Sequence, residues 1–295
     1  MRSAARIVAL VVTLGLAGCG ARGASAPRSP SAAQSLPPVT TDADFDQANF
    51  THPTEVRNPW FPLVPGTRFT WEGRATDEGE RVTRKVVFTV TDLTKVVNGV
   101  RTVVTYDNDF TSGELEEDEL SFFAQDDDGN VWYLGEYPEE LDGGKVDKAP
   151  TWIAGLHGAR PGVHMPAVPR LDTPSYAMGW GGSDVDWTDR GKVDQLGQEI
   201  CVPLACYADV LVIDEFNPDE PDTHQLKFYA RGVGGVRVGW RGAEEVEREV
   251  LELVSIEHLT PDQMDELRRT VLAQEARAYR ISPDVYGTTE PIEQA

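Results

Sequence analysis

The sequence predicts a mainly β protein, an antiparallel β-sandwich or partly open β-barrel that carries one C-terminal α-helix. Three observations lead there. Val86, Phe88 and Val90 alternate with Val87, Thr89 and Thr91, a period of two that sends successive side chains to opposite faces of a strand. Asn98-Gly99 stands between Val97 and Val100, the dipeptide favoured by a type I′ hairpin because both central residues take φ > 0. Thr260-Pro261-Asp262-Gln263 offers an N-cap, proline at the first helical position and Gln at the third. With Met264, Leu267, Val271 and Ala278 on one face, a helix is expected over about 261–279.

The start of the chain has a different character. Arg2 and Arg6 precede the apolar run from Ile7 to Ala17, whose 11 residues fit the apolar core of an export signal. As a helix they would rise only about 16 Å, against about 30 Å for a bilayer core, so a permanent membrane span is not expected. Leu16-Ala17-Gly18-Cys19 resembles the lipobox of bacterial lipoproteins, which implies a signal peptide over 1–18, cleavage before Cys19 and lipidation of Cys19. Several acyl chains such as palmitate would be needed for stable anchoring, since one chain binds a membrane only marginally. Residues 19–44 are rich in Ala, Ser and Pro and nearly free of bulky apolar side chains, so they read as a disordered tether. Its r.m.s. reach is on the order of 30 Å.

A single β-rich domain is expected over 45–280, ending in the helix and followed by a loose tail, 281–295. Pro65-Gly66 is a turn signal that opens a strand over Arg68 to Gly73. After the Asn98-Gly99 hairpin, a second one runs from Leu120-Ser121-Phe122-Phe123 through Asp126-Asp127-Asp128-Gly129-Asn130 into Val131-Trp132-Tyr133-Leu134. Further strands are expected over Tyr207 to Phe216, Gln225 to Ala230, Val233 to Val238 and Val246 to Ile256. The acidic stretches Gly113 to Glu119 and Asp214 to Asp222 read as solvated edges that keep sheets from stacking.

Composition excludes some functions. The 295 residues hold 27 Lys and Arg against 49 Asp and Glu, a formal charge of −22, so the cationic surface that binds nucleic-acid backbones is missing. The same charge disfavours docking on anionic lipid, which leaves the covalent anchor as the expected membrane contact. With Cys19 assigned to lipid, Cys201 and Cys206 remain, and outside the cytoplasm this pair is expected to form a disulfide. The sequence has no H-E-x-x-H, Gly181-Gly182-Ser183-Asp184-Val185 lacks the last glycine of a nucleophile elbow, and Gly232-Val233-Gly234-Gly235-Val236-Arg237 has Arg where the third glycine of a dinucleotide fingerprint belongs, so no zinc protease, serine hydrolase or dinucleotide site is indicated there. No cofactor is expected. Asp126, Asp128 and Asn130 could serve a calcium ion in a non-EF-hand geometry, although aligning Gly129 with the EF-hand glycine puts Ala124 and Gly135 where carboxylates are required.

The segment from Thr151 to Trp187 is rich in proline, aromatic residues and histidine. Long ordered loops are disproportionately functional, so Trp152, His157, His164, Met165, Tyr176 and Trp180 are the candidate pocket. The competing reading is a loop whose aromatics plug one end of a barrel or sandwich.

Several blocks carry a resemblance. Asn58-Pro59-Trp60-Phe61-Pro62-Leu63, Asp128-Gly129-Asn130-Val131-Trp132-Tyr133-Leu134-Gly135-Glu136, Gly158-Ala159-Arg160-Pro161-Gly162 with Met165-Pro166-Ala167, and Lys227-Phe228-Tyr229-Ala230-Arg231-Gly232-Val233-Gly234 resemble a family of uncharacterised secreted bacterial proteins and lipoproteins. The resemblance implies an extracytoplasmic location and one β-rich domain, and names no reaction. The chain departs from the pattern after Tyr176, where members have Gln-Glu and this sequence has Ala177-Met178.

Three functional classes follow. A lipid-anchored, non-catalytic binding module would hold an apolar or amphipathic ligand between the sheet and the 151–187 loop. An envelope structural or protein-interaction lipoprotein would show a filled core and an exposed apolar patch. A hydrolase would need two carboxylates, or a histidine and a carboxylate, converging in a cleft.

Overall fold

A computed structural model of the chain describes residues 45–294 apart from 78, 183, 184, 186 and 221. The expected signal peptide, the expected lipidation site Cys19 and the expected tether therefore lie outside the described residues. The strands are β1 (Thr67–Asp77), β2 (Glu80–Val97), β3 (Val100–Thr111), β4 (Glu114–Gln125), β5 (Val131–Asp142), β6 (Lys145–Lys148), β7 (Trp152–Ile153) and β8 (Arg160–Met165). They continue as β9 (Tyr176–Ala177), β10 (Gly179–Trp180), β11 (Arg190–Cys201), β12 (Cys206–Phe216), β13 (His224–Ala230), β14 (Gly234–Arg241), β15 (Val250–His258) and, after helix α1 (Pro261–Ile281), β16 (Glu293–Gln294).

All the pairings are antiparallel, and the sheet runs in the order β10-β8-β5-β4-β3-β2-β1-β15-β14-β13-β12-β11-β9. The two ends of this path are consecutive in the chain. Tyr176 and Ala177 pair with Gly191 and Arg190 on β11, and, one residue later, Gly179 and Trp180 pair with Pro161 and Arg160 on β8. One short segment thus bridges both edges and rolls the sheet into a nearly closed barrel, which leaves few strand edges exposed. The seam needs glycine. A Cβ on Gly162 would fall 2.3 Å from the Gly179 nitrogen and the Met178 carbonyl carbon.

The local signals act where they stand. Asn98 and Gly99 take φ of 46° and 75°, and Val97 pairs with Val100. Ser112 and Gly113 repeat the device between β3 and β4. In the N-terminal segment, Asn58 donates to the carbonyls of Gly129 (3.0 Å) and Pro166 (3.1 Å) and accepts from the Trp60 amide. These bonds drive Phe61 into the barrel, where its ring meets Phe88, Phe123, His164 and Tyr229.

Helix α1 begins in the expected capping box. Its buried face comprises Met264, Leu267, Val271, Gln274, Glu275 and Ala278. It lies on the outside of the barrel, held by Arg268 on Asp92 (2.9 Å) and by Arg277 on both oxygens of Glu139 (3.0 Å each).

The tail is packed, which corrects the expectation that 281–295 is loose. Tyr286 is fully buried, Ile292 nearly so, and Glu293 and Gln294 pair with Thr94 and Leu93 of β2. One polar centre pins it. The Glu275 carboxylate accepts from Lys95 Nζ (3.1 Å), the Tyr286 hydroxyl (3.2 Å) and the Ile292 amide (2.8 Å). Burial pulls the Lys95 ammonium below the ordinary lysine range, with Glu275 opposing.

Candidate functional site

The barrel encloses a cavity of about 90 Å³, lined by side chains from β1–β4 and β12–β15, by Phe61 to Leu63 and by His164. That is room for roughly six waters or a small organic molecule. The lining reaches the surface at Val233 and Arg237, both partly exposed. One wall is apolar and aromatic: Phe69 stacks on Trp71 (centroids 5.7 Å apart), and Phe88, Val238 and Leu251 continue it. Trp71 Nε1 donates to the Gly235 carbonyl at 3.2 Å, which fixes the indole.

The facing wall is acidic. Asp107 and Asp109 of β3 lie directly opposite Glu119 and Glu117 of β4, so four carboxyls share one inward face of two adjacent strands. Each is more than nine-tenths buried. The expectation that Gly113 to Glu119 forms a solvated edge is therefore corrected. Asp214 is also buried, paired with His224 at 2.8 Å, and Glu215 lines the cavity. Alternation along β4 and β12 turns every second carboxylate inward, and the barrel closes over it.

Cations compensate this wall unevenly. Arg84 approaches Asp109 (3.3 Å), Glu249 (3.1 Å) and Glu116 (3.3 Å), and Lys227 stands 4.0 Å from Glu215. Neither oxygen of Asp107 has a hydrogen-bond donor. Burial first, then the charges of Glu119 and Asp109, hold the Asp107 carboxyl well above the usual carboxylate range. Burial likewise raises Asp109 to about 6, against the pull of Arg84. Glu119 is raised by burial and partly relieved by Ser121 and Tyr133, whose hydroxyls contact its Oε1.

Tyr133 links this wall to a second, smaller cavity of about 30 Å³ bordered by Glu136, Met178, Trp187, Asp189, His164 and Glu215. Its hydroxyl contacts Glu119 (3.3 Å), Ser121 (3.1 Å) and Glu136. A phenol has one proton to give. Its proton goes to Glu136, whose carboxyl is pushed well above its usual range by burial and by the nearby Glu119 charge. His164, with Nε2 unpartnered, is lowered to about 3 by burial and by Lys227, so its ring is neutral.

The six candidate pocket residues are not brought together. His164 lines both cavities. Trp152 stacks on Trp187 (5.0 Å) and meets Tyr133 edge-on (5.2 Å), forming an aromatic plug, while Met165 is fully buried in the core. Tyr176 packs where a Cβ on Gly191 would strike its ring, Trp180 lies under the Arg160 guanidinium (4.7 Å), and His157 occupies an exposed turn with φ of 49°. The segment's backbone is committed to closing the barrel, so its aromatics are spread along the seam.

The calcium candidates face donors. Asp126 accepts from the Asn130 amide (2.7 Å), Asn130 Nδ2 (2.9 Å) and Trp132 Nε1 (2.8 Å). Asp128 accepts from Asn49, and Asn130 Oδ1 accepts from the Ala167 amide. A cation at this tip would meet N–H groups, and the described residues contain no group of three or more His, Cys, Asp or Glu placed to hold a metal. Cys201 and Cys206 form the disulfide at the β11–β12 turn, which in the chain-entropy description adds about 2 kcal/mol.

The carboxyl wall was absent from the residues selected by sequence. The available signal was the i, i+2 pattern of Asp107/Asp109 and Glu117/Glu119 on either side of Ser112-Gly113.

No family model matches the chain, and no curated protein matches it. Among solved structures it is similar to a protein of Bacteroides fragilis assigned as exported, with a YmcC-like fold (14% identity, TM-score 0.39, covering 68% of this chain and 99% of that one). It is also similar to a protein of Parabacteroides distasonis assigned as a lipoprotein (10%, 0.33, 68% and 99%). A third is a β-barrel-like protein of a domain family of unknown function from Brucella abortus (12%, 0.40, 67% and 99%).

Proposed function

We propose that the chain is an extracytoplasmic lipoprotein, anchored through Cys19, whose barrel is a non-catalytic binding module for a small amphipathic ligand. The Arg2 and Arg6 charges, the apolar run to Ala17 and the Leu16-Ala17-Gly18-Cys19 ending support the location, and a disulfide suits an oxidising compartment. One observation carries the binding reading: the cavity sets an aromatic wall against buried polar groups that make no hydrogen bond within the protein, Asp107, His164 Nε2, Lys227 Nζ and Arg237 Nε. A buried polar atom without a partner costs about 1–3 kcal/mol. An amphipathic ligand offsets that cost, with its apolar body on Phe69, Trp71 and Phe88 and its polar end toward the carboxyls.

Native mass spectrometry of the full-length lipoprotein, extracted gently from the membrane, tests this against Gly235→Val. A Cβ at 235 would sit 3.7 Å from Trp71 Cζ2 and 3.9 Å from Tyr229 Cε1, ordinary contact distances, so the valine enters the cavity without moving backbone. A small organic adduct is expected on the wild type and not on the variant. The same adduct on both would remove the cavity as its site.

A hydrolase is the second reading, favoured by the adjacent buried carboxyls of Asp107 and Asp109, the latter raised to about 6 by burial. It predicts that the wild type releases a chemically altered ligand, whereas the binding module returns it unchanged.

A further inference from the structure

We propose that the polar end of the cavity ligand is a protonated primary amine, with Asp107 as its counter-ion. The inference deepens the binding reading and rests on it. Five carboxyls line the cavity, Asp107, Asp109, Glu117, Glu119 and Glu215, together with two cations, Lys227 and Arg237. Arg84 is shared among Asp109, Glu249 and Glu116, while Lys227 and Arg237 stand 4.0 Å from Glu215 and Glu252, with Lys227 Nζ and Arg237 Nε making no hydrogen bond. Carboxyls outnumber cations in this lining, and that excess favours a cationic ligand end over an anionic one.

Donor geometry narrows the class further. Both Asp107 oxygens are unpartnered, in a residue that is 6% exposed and borders the cavity. An ammonium brings three N–H donors and a full positive charge; burial and the neighbouring carboxyls favour the protonated Asp107 in the empty cavity, and a bound cation draws it to the carboxylate, its proton leaving to solvent. Phe88 lies directly opposite Asp107 in the β2–β3 register, so a cation at Asp107 also has an aromatic neighbour. A hard divalent metal fits poorly: it takes six or more oxygen ligands, whereas Asp109 is held by Arg84, Glu119 contacts Ser121 and Tyr133, Glu215 stands beside Lys227, and Phe69, Trp71, Phe88, Val238 and Leu251 offer no oxygen. A volume of about 90 Å³ limits the molecule to a short chain.

The test is isothermal titration calorimetry of the full-length protein at pH 7.5 with n-butylammonium, 1-butanol and butanoate, repeated on Asp107→Asn. The ammonium is expected to bind at least ten-fold tighter than the alcohol, and butanoate to give no heat. Asp107→Asn is expected to abolish that preference and leave the alcohol unchanged. Alcohol binding as tightly as ammonium overturns the proposal while the cavity remains a ligand site. No heat from any of the three overturns both. An unchanged preference in Asp107→Asn removes Asp107 as the counter-ion, and if that variant does not fold, the three-ligand series on the wild type decides.

Discussion

Replacing Glu275 by Gln isolates the charge that holds the tail to the barrel. The amide keeps an oxygen for the Tyr286 hydroxyl and the Ile292 amide, so the change falls on Lys95, whose side chain is fully buried and has Glu275 as its carboxylate partner. Breaking a buried ion pair from one side costs about 3–5 kcal/mol. The penalty also has a ceiling, because Lys95 can fold uncharged. From the ordinary value of 10.5, discharging a lysine at pH 7.5 costs about 4 kcal/mol, and at pH 9.5 about 1 kcal/mol. In the variant the unfolded chain then binds more protons than the native one, so stability rises with pH and the deficit shrinks. Urea denaturation of wild type and Glu275→Gln at both pH values is the assay. The expected deficit is about 3–4 kcal/mol at pH 7.5, with a melting temperature lower by on the order of 10 °C, falling to about 1 kcal/mol at pH 9.5. A deficit that does not change with pH, or one below about 1 kcal/mol throughout, as for a surface pair, would refute the reasoning.

Two further outcomes follow from the barrel interior. Asp109 titrates near 6 when folded against 3.8 when unfolded, so its contribution to stability is present in full below about pH 4 and is lost as pH rises through 6, a difference of about 3 kcal/mol. Urea midpoints should therefore fall less between pH 4 and pH 8 in Asp109→Asn than in wild type, and parallel profiles would exclude Asp109 as the source. Gly162→Ala places a methyl against backbone at the seam and should cost about 3 kcal/mol or more, with faster hydrogen exchange at the 176–180 amides; wild-type protection there would show that the seam tolerates the methyl.

The legible elements were those whose cause is local. A type I′ turn depends on two residues, and Asn98-Gly99 produced it. A capping box depends on four, and Thr260 to Gln263 began helix α1 as expected. Alternation identified strands and therefore a β domain. It left sandwich and barrel open, because closure depends on Tyr176–Trp180 finding β11 and β8, partners placed far apart along the sheet. The tail misled for a related reason: its Pro, Gly and Thr content reads as loose, and its order comes from Glu275 on the preceding helix, held in place by Lys95, which lies far away in sequence.

The acidic wall marks the boundary most sharply. By itself the sequence determined that Asp107 and Asp109 share one face of their strand and that Glu117 and Glu119 share one face of theirs. Counting back from the Ser112-Gly113 turn without interruption would set Asp107 and Asp109 opposite Asp118 and Glu116. A bulge between Asp109 and Phe110 adds one residue on the partner strand and sets them opposite Glu119 and Glu117 instead. Because strand side chains alternate with a period of two, that one residue decides which carboxylates enter the barrel and which meet solvent, and only the packing of the closed sheet could make the choice.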